Sequence, residues 1–449
     1  MFDRDFEFGT GISSYQTEGA YKADLKVPSI WDEFTHEGSN IEDNSDGDVA
    51  TDFYHRYRED ILLAKELGIS SFRLSLSWCR IINEDQSVNY QGISFYRQVL
   101  SFIRECQMKC AVTLYHWDLP LYLDTKGGFA NPGIKGYYLT YVKAVVENLG
   151  SLIDVYFTFN EPQCIIGLGM NGIEQAPKRI YPISDLVKAC HNILLCHALA
   201  FRLIKDTNPN SKVSFVNTFT PYLPTDRENK DEEEKAYQMT FRSPVDRYVF
   251  FTPSVFMDPL FLGHYPQEYY QEFAPLLSFV TKQDMNLIKE STPDDIYINI
   301  YTGRDIHVEK DKTVRIIEDD RKEDQTSFNW LKVKPESLYY AVKYAFRRYQ
   351  KPIYISENGV PYEDIREDNQ VHDKKRTEFI ERYLEQLDKA RKEGIPVKGY
   401  YYWSLEDNFE WAFGYTKRFG LVYIDYQDDL KRIKKDSFYA YQKIIKEAK

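Results

Sequence analysis

The chain has 449 residues, 43% of them hydrophobic, and a formal net charge of −12. That acidic balance argues against nucleic acid and anionic membranes as main partners, and the length allows one large domain or two to three ordinary ones. Cys79, Cys106, Cys110, Cys164, Cys190 and Cys196 form no C-x-x-C pair, no apolar leader follows Met1, and no run approaches 18 apolar residues, so the expectation is a cytoplasmic protein with free thiols and no membrane span.

Residues 6–10 alternate as a strand that runs into Gly11-Ile12-Ser13-Ser14. Over 52–67 the residues Phe53, Tyr57, Ile61, Ala64 and Leu67 recur at helical spacing, and Gly68 closes that helix. A strand is predicted over 71–76, a helix over 94–106, and a strand over 109–114 that leads into His116-Trp117-Asp118. After a helix over 135–149, Val155-Tyr156-Phe157 reads as a strand that runs out at Thr158-Phe159-Asn160-Glu161, where Pro162 stops it. A helix over 185–206 and a strand over 213–217 precede a long stretch, 218–285, that contains the acidic run Asp231-Glu232-Glu233-Glu234. Next come a strand over 296–301 and a helix over 335–349 with Pro335 in its first turn. Ile353-Tyr354-Ile355 is again a short apolar strand, and it ends at Ser356-Glu357-Asn358-Gly359 with Asn-Gly turn chemistry. A helix over 374–392, a strand over 397–403 and a closing helix over 436–449 complete the chain, while the charged tracts 309–325 and 363–376 read as solvated loops. About eight strands alternating with helices predict an α/β fold, a (β/α)8 TIM barrel formed as a single domain over 1–449 with long βα-loop insertions.

In such a barrel the active groups gather at the C-terminal ends of the strands. Those ends carry Gln16, Arg73, His116, Asn160, Glu161, Asn299, Tyr301, Glu357 and Trp403, with Glu410 and Trp411 just beyond. Two strand-end carboxylates far apart in sequence share a pocket only if the fold brings strand ends together, and the barrel does so. Glycoside hydrolysis uses such a pair, one carboxyl protonating the leaving oxygen and the other attacking the anomeric carbon or activating water. Arg73 and Tyr301 are placed to hold a neighbouring glutamate ionised, and Trp403 offers a ring on which a sugar face can stack. Composition alone leaves other carboxylate chemistry open.

Three patterns point elsewhere only on the surface. Gly167-Leu168-Gly169-Met170-Asn171-Gly172 fits G-x-G-x-x-G, but Glu161 and Pro162 intervene after the strand and no tidy βαβ unit surrounds it, so a pocket-mouth turn is expected instead of a dinucleotide site. His191 and His197 are spaced off one helix face, which argues against zinc, and His55 reads as a surface or packing residue.

The chain resembles glycoside hydrolase family 1, the retaining β-glycosidases, through FGTGISSYQTEGA at 8–20, SIWDEFTHEG at 29–38, FRLSLSWCRI at 72–81, TLYHWDLP at 113–120, TFNEP at 158–162, INIYTG at 298–303, ISENG at 355–359 and WSLEDNFEWAFGYTKRFGLVYID at 403–425. The resemblance implies that Glu161 is the acid/base and Glu357 the nucleophile, tuned by Arg73 and Tyr301 with Asn299 beside them. It implies that Asn160 holds the 2-hydroxyl, that Gln16 and His116 bind hydroxyls on the far side of the ring, and that Trp403 is the sugar platform. Glu410 and Trp411 would reach the 4- and 6-hydroxyls, and Trp330 would flank the leaving-group site. The sequence departs from the family pattern at Ser356, Tyr297, Ile300, Tyr156-Phe157 and the Gly127-Gly128-Phe129 stretch, which touches packing and the leaving-group side. The expected activity is that of an exo-β-glucosidase on short β-glucosides, with a small-molecule β-glycoside as partner and no cofactor or metal; the oligomeric state is left open. The rivals are a 6-phospho-β-glucosidase, a β-galactosidase or β-fucosidase preference, and a non-catalytic sugar-binding barrel. Against the phosphate reading, acidic Glu410 would repel an anion at the 6-position.

Overall fold

Short runs of β-branched and aromatic residues form the inner wall of the molecule. The computed structural model describes residues 2–172, 174–242, 249–318, 321–322 and 325–448. Its inner strands are β1 (Glu7–Gly11), β2 (Ser71–Ser75), β3 (Lys109–Thr113), β4 (Val155–Asn160), β5 (Lys212–Thr218), β6 (Ile296–Asn299), β7 (Ile353–Asn358) and β8 (Val397–Trp403). They pair in parallel in chain order, and β8 closes on β1 in a register from Glu7 opposite Gly399 to Gly11 opposite Trp403, so the barrel expected from the sequence is present. Ala111, Val155, Phe157, Val216, Tyr297 and Tyr401 form a buried cluster of barrel-strand side chains.

The helices α1 (Phe53–Leu67), α2 (Tyr90–Glu105), α3 (Ile134–Leu149), α4 (Ile183–Thr207), α5 (Lys282–Glu290), α6 (Glu336–Tyr349), α7 (Lys374–Lys392) and α8 (Asp436–Ala448) follow the eight strands in turn. α1 buries the five residues whose spacing predicts it, and Gly68 ends it at φ 86°. α2 begins earlier than its apolar spacing indicates, because the Asn89 side chain accepts from the N–H groups of Gln91 and Gly92 and caps it. Gly92 fits there because a Cβ would stand 1.9 Å from the Arg80 carbonyl oxygen. α4 is long and apolar enough by composition to cross a membrane, yet 72% of that window is buried inside the protein. His191 and His197 lie on it as core residues, bonded to Tyr265 and to Thr158 and Ser291. His55 is exposed beside Asp52.

On the outside of the barrel the structure changes the two loop expectations, for 309–325 and 363–376, and shows what the long stretch after β5 forms. The stretch after β5 is structured: Tyr222–Pro224 joins Arg304–Val308 and Val314–Ile317 in a small sheet, and helices Lys230–Phe241, Ser254–Phe261 and Gln267–Phe273 precede α5. Part of the 309–325 tract is therefore a strand, and its residues 319, 320, 323 and 324 lie outside the described residues. The 363–376 tract is not simply solvated either. Arg376 Nη1 donates to Asp373 Oδ2 at 2.5 Å and Nη2 pairs with Asp364 Oδ2 at 2.9 Å, while Lys435 joins Asp364 to Asp407 Oδ1 at 2.7 Å. All five side chains are almost wholly enclosed. Charges of both signs at close range offset each other's desolvation, which lets charged residues lie where the sequence alone suggests a surface. The network ties α7 to the loop after β8. Replacing Arg376 with Met leaves carboxylates buried without their cation and is expected to lower stability by about 3–5 kcal/mol, read as a lower denaturant midpoint; an unchanged midpoint refutes it.

Candidate active site

Both glutamates singled out from the sequence stand where a strand breaks register. Between Phe157 and Asn160, β4 carries one residue more than its neighbour β5, and between Ile355 and Glu357, β7 carries one more than β6. Such bulges turn a side chain away from strict alternation. Glu161 follows in the left-handed region at φ 44° and ψ 68°, with its N–H donated to the Val216 carbonyl at 2.9 Å and Pro162 starting a short helix. A non-glycine residue persists there only when its surroundings over-determine it.

Each Glu357 oxygen has its own donor. Arg73 Nη1 donates to Oε1 at 2.5 Å, and the Tyr301 hydroxyl donates to Oε2 at 2.6 Å. Burial and the neighbouring Glu357, Glu161 and Glu410 push the Tyr301 phenol well above its ordinary value, so it remains a donor. An acceptor-only carboxylate with a guanidinium on one oxygen fits this pattern.

Glu161 lives in the opposite environment. Burial first, and the Glu357 charge second, raise its pKa to about 7, while bonds from Asn299 and Cys164 and the charge of Arg73 pull the other way. Asn299 Nδ2 donates to Glu161 Oε1 at 3.0 Å and to Asn160 Oδ1 at 3.1 Å. The Ser356 hydroxyl donates to Asn299 Oδ1 at 2.7 Å, which fixes the amide orientation. One carboxyl raised to about 7 and one whose two oxygens each accept a bond, from a guanidinium and a phenol, stand in opposed environments in the same pocket.

The remaining predicted residues surround this pair. Arg73 Nη2 donates to Asn160 Oδ1 at 2.8 Å, and Asn160 Nδ2 donates to His116 Nε2 at 3.2 Å. Burial, with Arg73 adding to it, drives the His116 pKa well below its ordinary value. The neutral ring therefore accepts at Nε2 and carries its proton on Nδ1, a buried atom with no partner among the described residues. Gln16, at the start of the loop after β1, gives Nε2 to Asn408 Oδ1 and to the Phe409 carbonyl and so joins that loop to the one bearing Glu410. Trp403 stacks toward His116 at 6.0 Å and 20°. Trp411 is packed in an aromatic wall with Trp117 at 4.5 Å and Trp31 at 4.7 Å. Trp330 stays 56% exposed at 6.5 Å from the Tyr301 ring, so core packing does not account for it. Burial, followed by the charges of Glu357 and Glu161, raises Glu410 to about 8. The structure thus brings all twelve predicted residues to one end of the barrel, Trp330 at the rim.

Ser356, Trp117, Asn408 and Cys164 also shape the site, and the sequence analysis gave none of them a role. Trp117 Nε1 donates to the Asn160 carbonyl at 3.0 Å, and Cys164 Sγ lies 3.3 Å from Glu161 Oε2. Ser356, Trp117 and Asn408 lie in the same motifs as assigned residues, but their contacts cross between strands or loops, and Cys164 lies just after TFNEP, three residues beyond the Glu161 that it contacts. The G-x-G-x-x-G segment forms a wide helical turn, Ile165–Met170. A Cβ on Gly167 would meet the Phe251 ring at 2.4 Å, so that glycine serves loop packing. Away from the strand ends, ligand atoms of His36, Asp46 and Asp48 lie within 4.8 Å of one another, and His36 already pairs with Asp48.

The sequence profile described as Glycosyl hydrolase family 1 matches residues 1–449. The chain is 35% identical over 452 residues to "Beta-glucosidase A" of Thermotoga maritima, covering 99% of this chain and 98% of that one. It is 37% identical to "Beta-glucosidase A" of Acetivibrio thermocellus, again covering 99% and 98%. The solved structure of the β-glucosidase from Thermotoga maritima in complex with methyl acetic acid-substituted glucoimidazole gives a TM-score of 0.88 at 33% identity, covering 100% of this chain and 99% of that one. This chain belongs to glycosyl hydrolase family 1.

Because the Glu357 charge helps to raise Glu161 from its ordinary value to about 7, Glu357→Gln is expected to lower the Glu161 titration point. Carboxyl NMR of labelled glutamate reads this directly, and an unmoved titration assigns the whole shift to burial.

Proposed function

We propose that the protein is a retaining exo-β-glucosidase acting on short β-glucosides. The observation that carries this reading is the contrast between the two glutamates: Glu161 is raised to about 7, while both Glu357 oxygens accept bonds from Arg73 and Tyr301. Glu357 attacks the anomeric carbon as Glu161 passes its proton to the departing oxygen, giving a covalent glycosyl–enzyme and a free alcohol. Glu161, now a carboxylate, takes a proton from water, whose oxygen displaces Glu357 and releases the sugar with its configuration retained.

The other residues take binding roles. Asn160, oriented by Arg73 and Asn299, holds the 2-hydroxyl, and the unpartnered His116 Nδ1–H and Gln16 bind the far side of the ring. Trp403 is the platform, Glu410 and Trp411 face the 4- and 6-hydroxyls, and exposed Trp330 flanks the leaving group. The names of the relatives and the deoxynojirimycin complex of the Thermotoga maritima enzyme support a glucoside substrate. Six free thiols support a reducing, cytoplasmic setting.

The reason for disfavouring a 6-phosphate changes form. At about 8, Glu410 is mostly a neutral carboxyl near pH 7 and repels an anion weakly. What disfavours the phosphate is that, among the described residues, the charges that shift Glu410 are those of Glu357 and Glu161, and a phosphate would add negative charge beside them.

Glu357→Ala is expected to lose at least several orders of magnitude in kcat, because the covalent route is gone; near-normal turnover would falsify the assignment. Glu161→Ala should cripple substrates with poor leaving groups and largely spare dinitrophenyl glucoside, whereas equal losses on both would remove the acid role. Since Glu161 must be protonated for the first step, kcat/KM is full at low pH on this limb and declines as pH rises through about 7; a flat profile from pH 6 to 9 contradicts this. Nitrophenyl β-glucoside, β-galactoside, β-fucoside and β-glucoside 6-phosphate, compared side by side, should rank the unphosphorylated glucoside first, and cleavage of the phosphate alone would reverse the Glu410 argument.

A further inference from the structure

Among the six cysteines, Cys164 is the one whose thiol bonds Glu161. Cys79, Cys106, Cys110, Cys190 and Cys196 are buried elsewhere, whereas Cys164 is half-buried at the end of the short helix that starts after Glu161, with Sγ 3.3 Å from Glu161 Oε2. The other oxygen, Oε1, is committed: Ser356 locks the Asn299 amide, so Nδ2 points at Oε1 whatever the protonation state of Glu161. The transferable proton therefore rides on Oε2, the oxygen against which the thiol sits. On its other side Cys164 lines a cavity of about 30 Å³ whose wall includes Phe129, Ile165 and Met170 and also Asp124 and Gln175; the hydrogen bond that Sγ makes goes to Glu161 Oε2.

We propose that Cys164 is a positioning residue for the acid step: its S–H donates into Glu161 Oε2, turning the carboxyl O–H toward the glycosidic oxygen and stabilising the carboxylate left when that proton departs. The inference rests on the reading of Glu161 as the acid/base. The proton moves from Oε2 to the leaving oxygen as the bond from that oxygen to the anomeric carbon breaks and the bond to Glu357 forms; Cys164 keeps its own proton throughout. Burial and the Glu161 charge hold the thiol well above its ordinary value, so it remains S–H across the working range. The other charged or titratable groups acting on Glu161 are Glu357, Arg73, Tyr301 and Glu410, and among the described bonds none of them reaches Oε2.

The test measures kcat/KM against pH for Cys164→Ala and Cys164→Ser, with an alkyl β-glucoside and with dinitrophenyl β-glucoside. In Cys164→Ala the alkaline limb is expected to move up by about half a pH unit, with a several-fold loss on the alkyl glucoside and little change on the dinitrophenyl substrate. In Cys164→Ser, whose hydroxyl donates more strongly, the alkyl glucoside rate returns and the limb lies at or below that of the wild type. A limb that stays put in Cys164→Ala, equal losses on both substrates, or a serine variant that behaves like alanine each overturn the inference. If Glu161→Ala lacks its leaving-group split, the acid role itself falls; if that split is present while the Cys164 variants are silent, only the positioning role falls.

Discussion

One guanidinium sets the electrostatics of the pocket. Arg73 is 1% exposed, lies with its charged carbon 5.5 Å above the Phe157 ring, and bonds Glu357 and Asn160. Unit charges about 4 Å apart at an effective dielectric of 20 interact by about 4 kcal/mol, so which carboxyl lies beside the guanidinium matters. Three carboxyls face this space, and Arg73 bonds only one of them. Glu357 receives it; at Glu161 burial and the Glu357 charge outweigh the bonds from Asn299 and Cys164 and the more distant Arg73, and at Glu410 burial and like charge act together, so the two rise to about 7 and about 8. The contrast between the two glutamates follows in part from where that guanidinium is placed.

Placement in turn depends on backbone irregularity in an otherwise regular barrel. Strict alternation would not aim both glutamates at one point, and the extra residues in β4 and β7 break it at the two positions that matter. Gly359 serves the same end: a Cβ there would lie 1.8 Å from the Trp403 carbonyl oxygen, so its bare backbone lets the end of β7 approach the end of β8. The amide of Asn299 on β6 then couples the two strands, held by Ser356 on β7 and bonded to Asn160 and Glu161 on β4.

The loop after β8 is held from outside. Asp407 accepts from Arg418 at 2.7 Å and from Lys435 at 2.7 Å, at the edge of the enclosed network around Arg376. From the inside, Gln16 bonds the Phe409 carbonyl at 2.8 Å. Glu410 and Trp411 are thus carried on a loop pinned on both sides, which keeps their presentation to the pocket fixed without a hydrogen bond to either side chain having to do it.

The sequence by itself determined the barrel and set twelve candidate residues at or near its strand ends. Period-two and helical spacing are local properties, so β4, β7 and α1 were legible, and a closed parallel barrel then requires strand ends, with Glu161, Glu357, Arg73 and His116 on them, to meet. The start of α2 was not legible because an asparagine cap and a glycine beneath Arg80 override its apolar spacing, and Arg376 looked solvated because its partners Asp373, Asp364 and the Lys435–Asp407 pair are brought together only by packing. Tertiary structure alone decided the protonation of the pocket, since burial, the choice of Glu357 as Arg73's partner, and the contact of Cys164 with Oε2 are distances between residues that are remote in sequence or share a bulged turn. A motif names the residues that meet; their pKa values depend on how deeply, and beside which charge, the fold sets them.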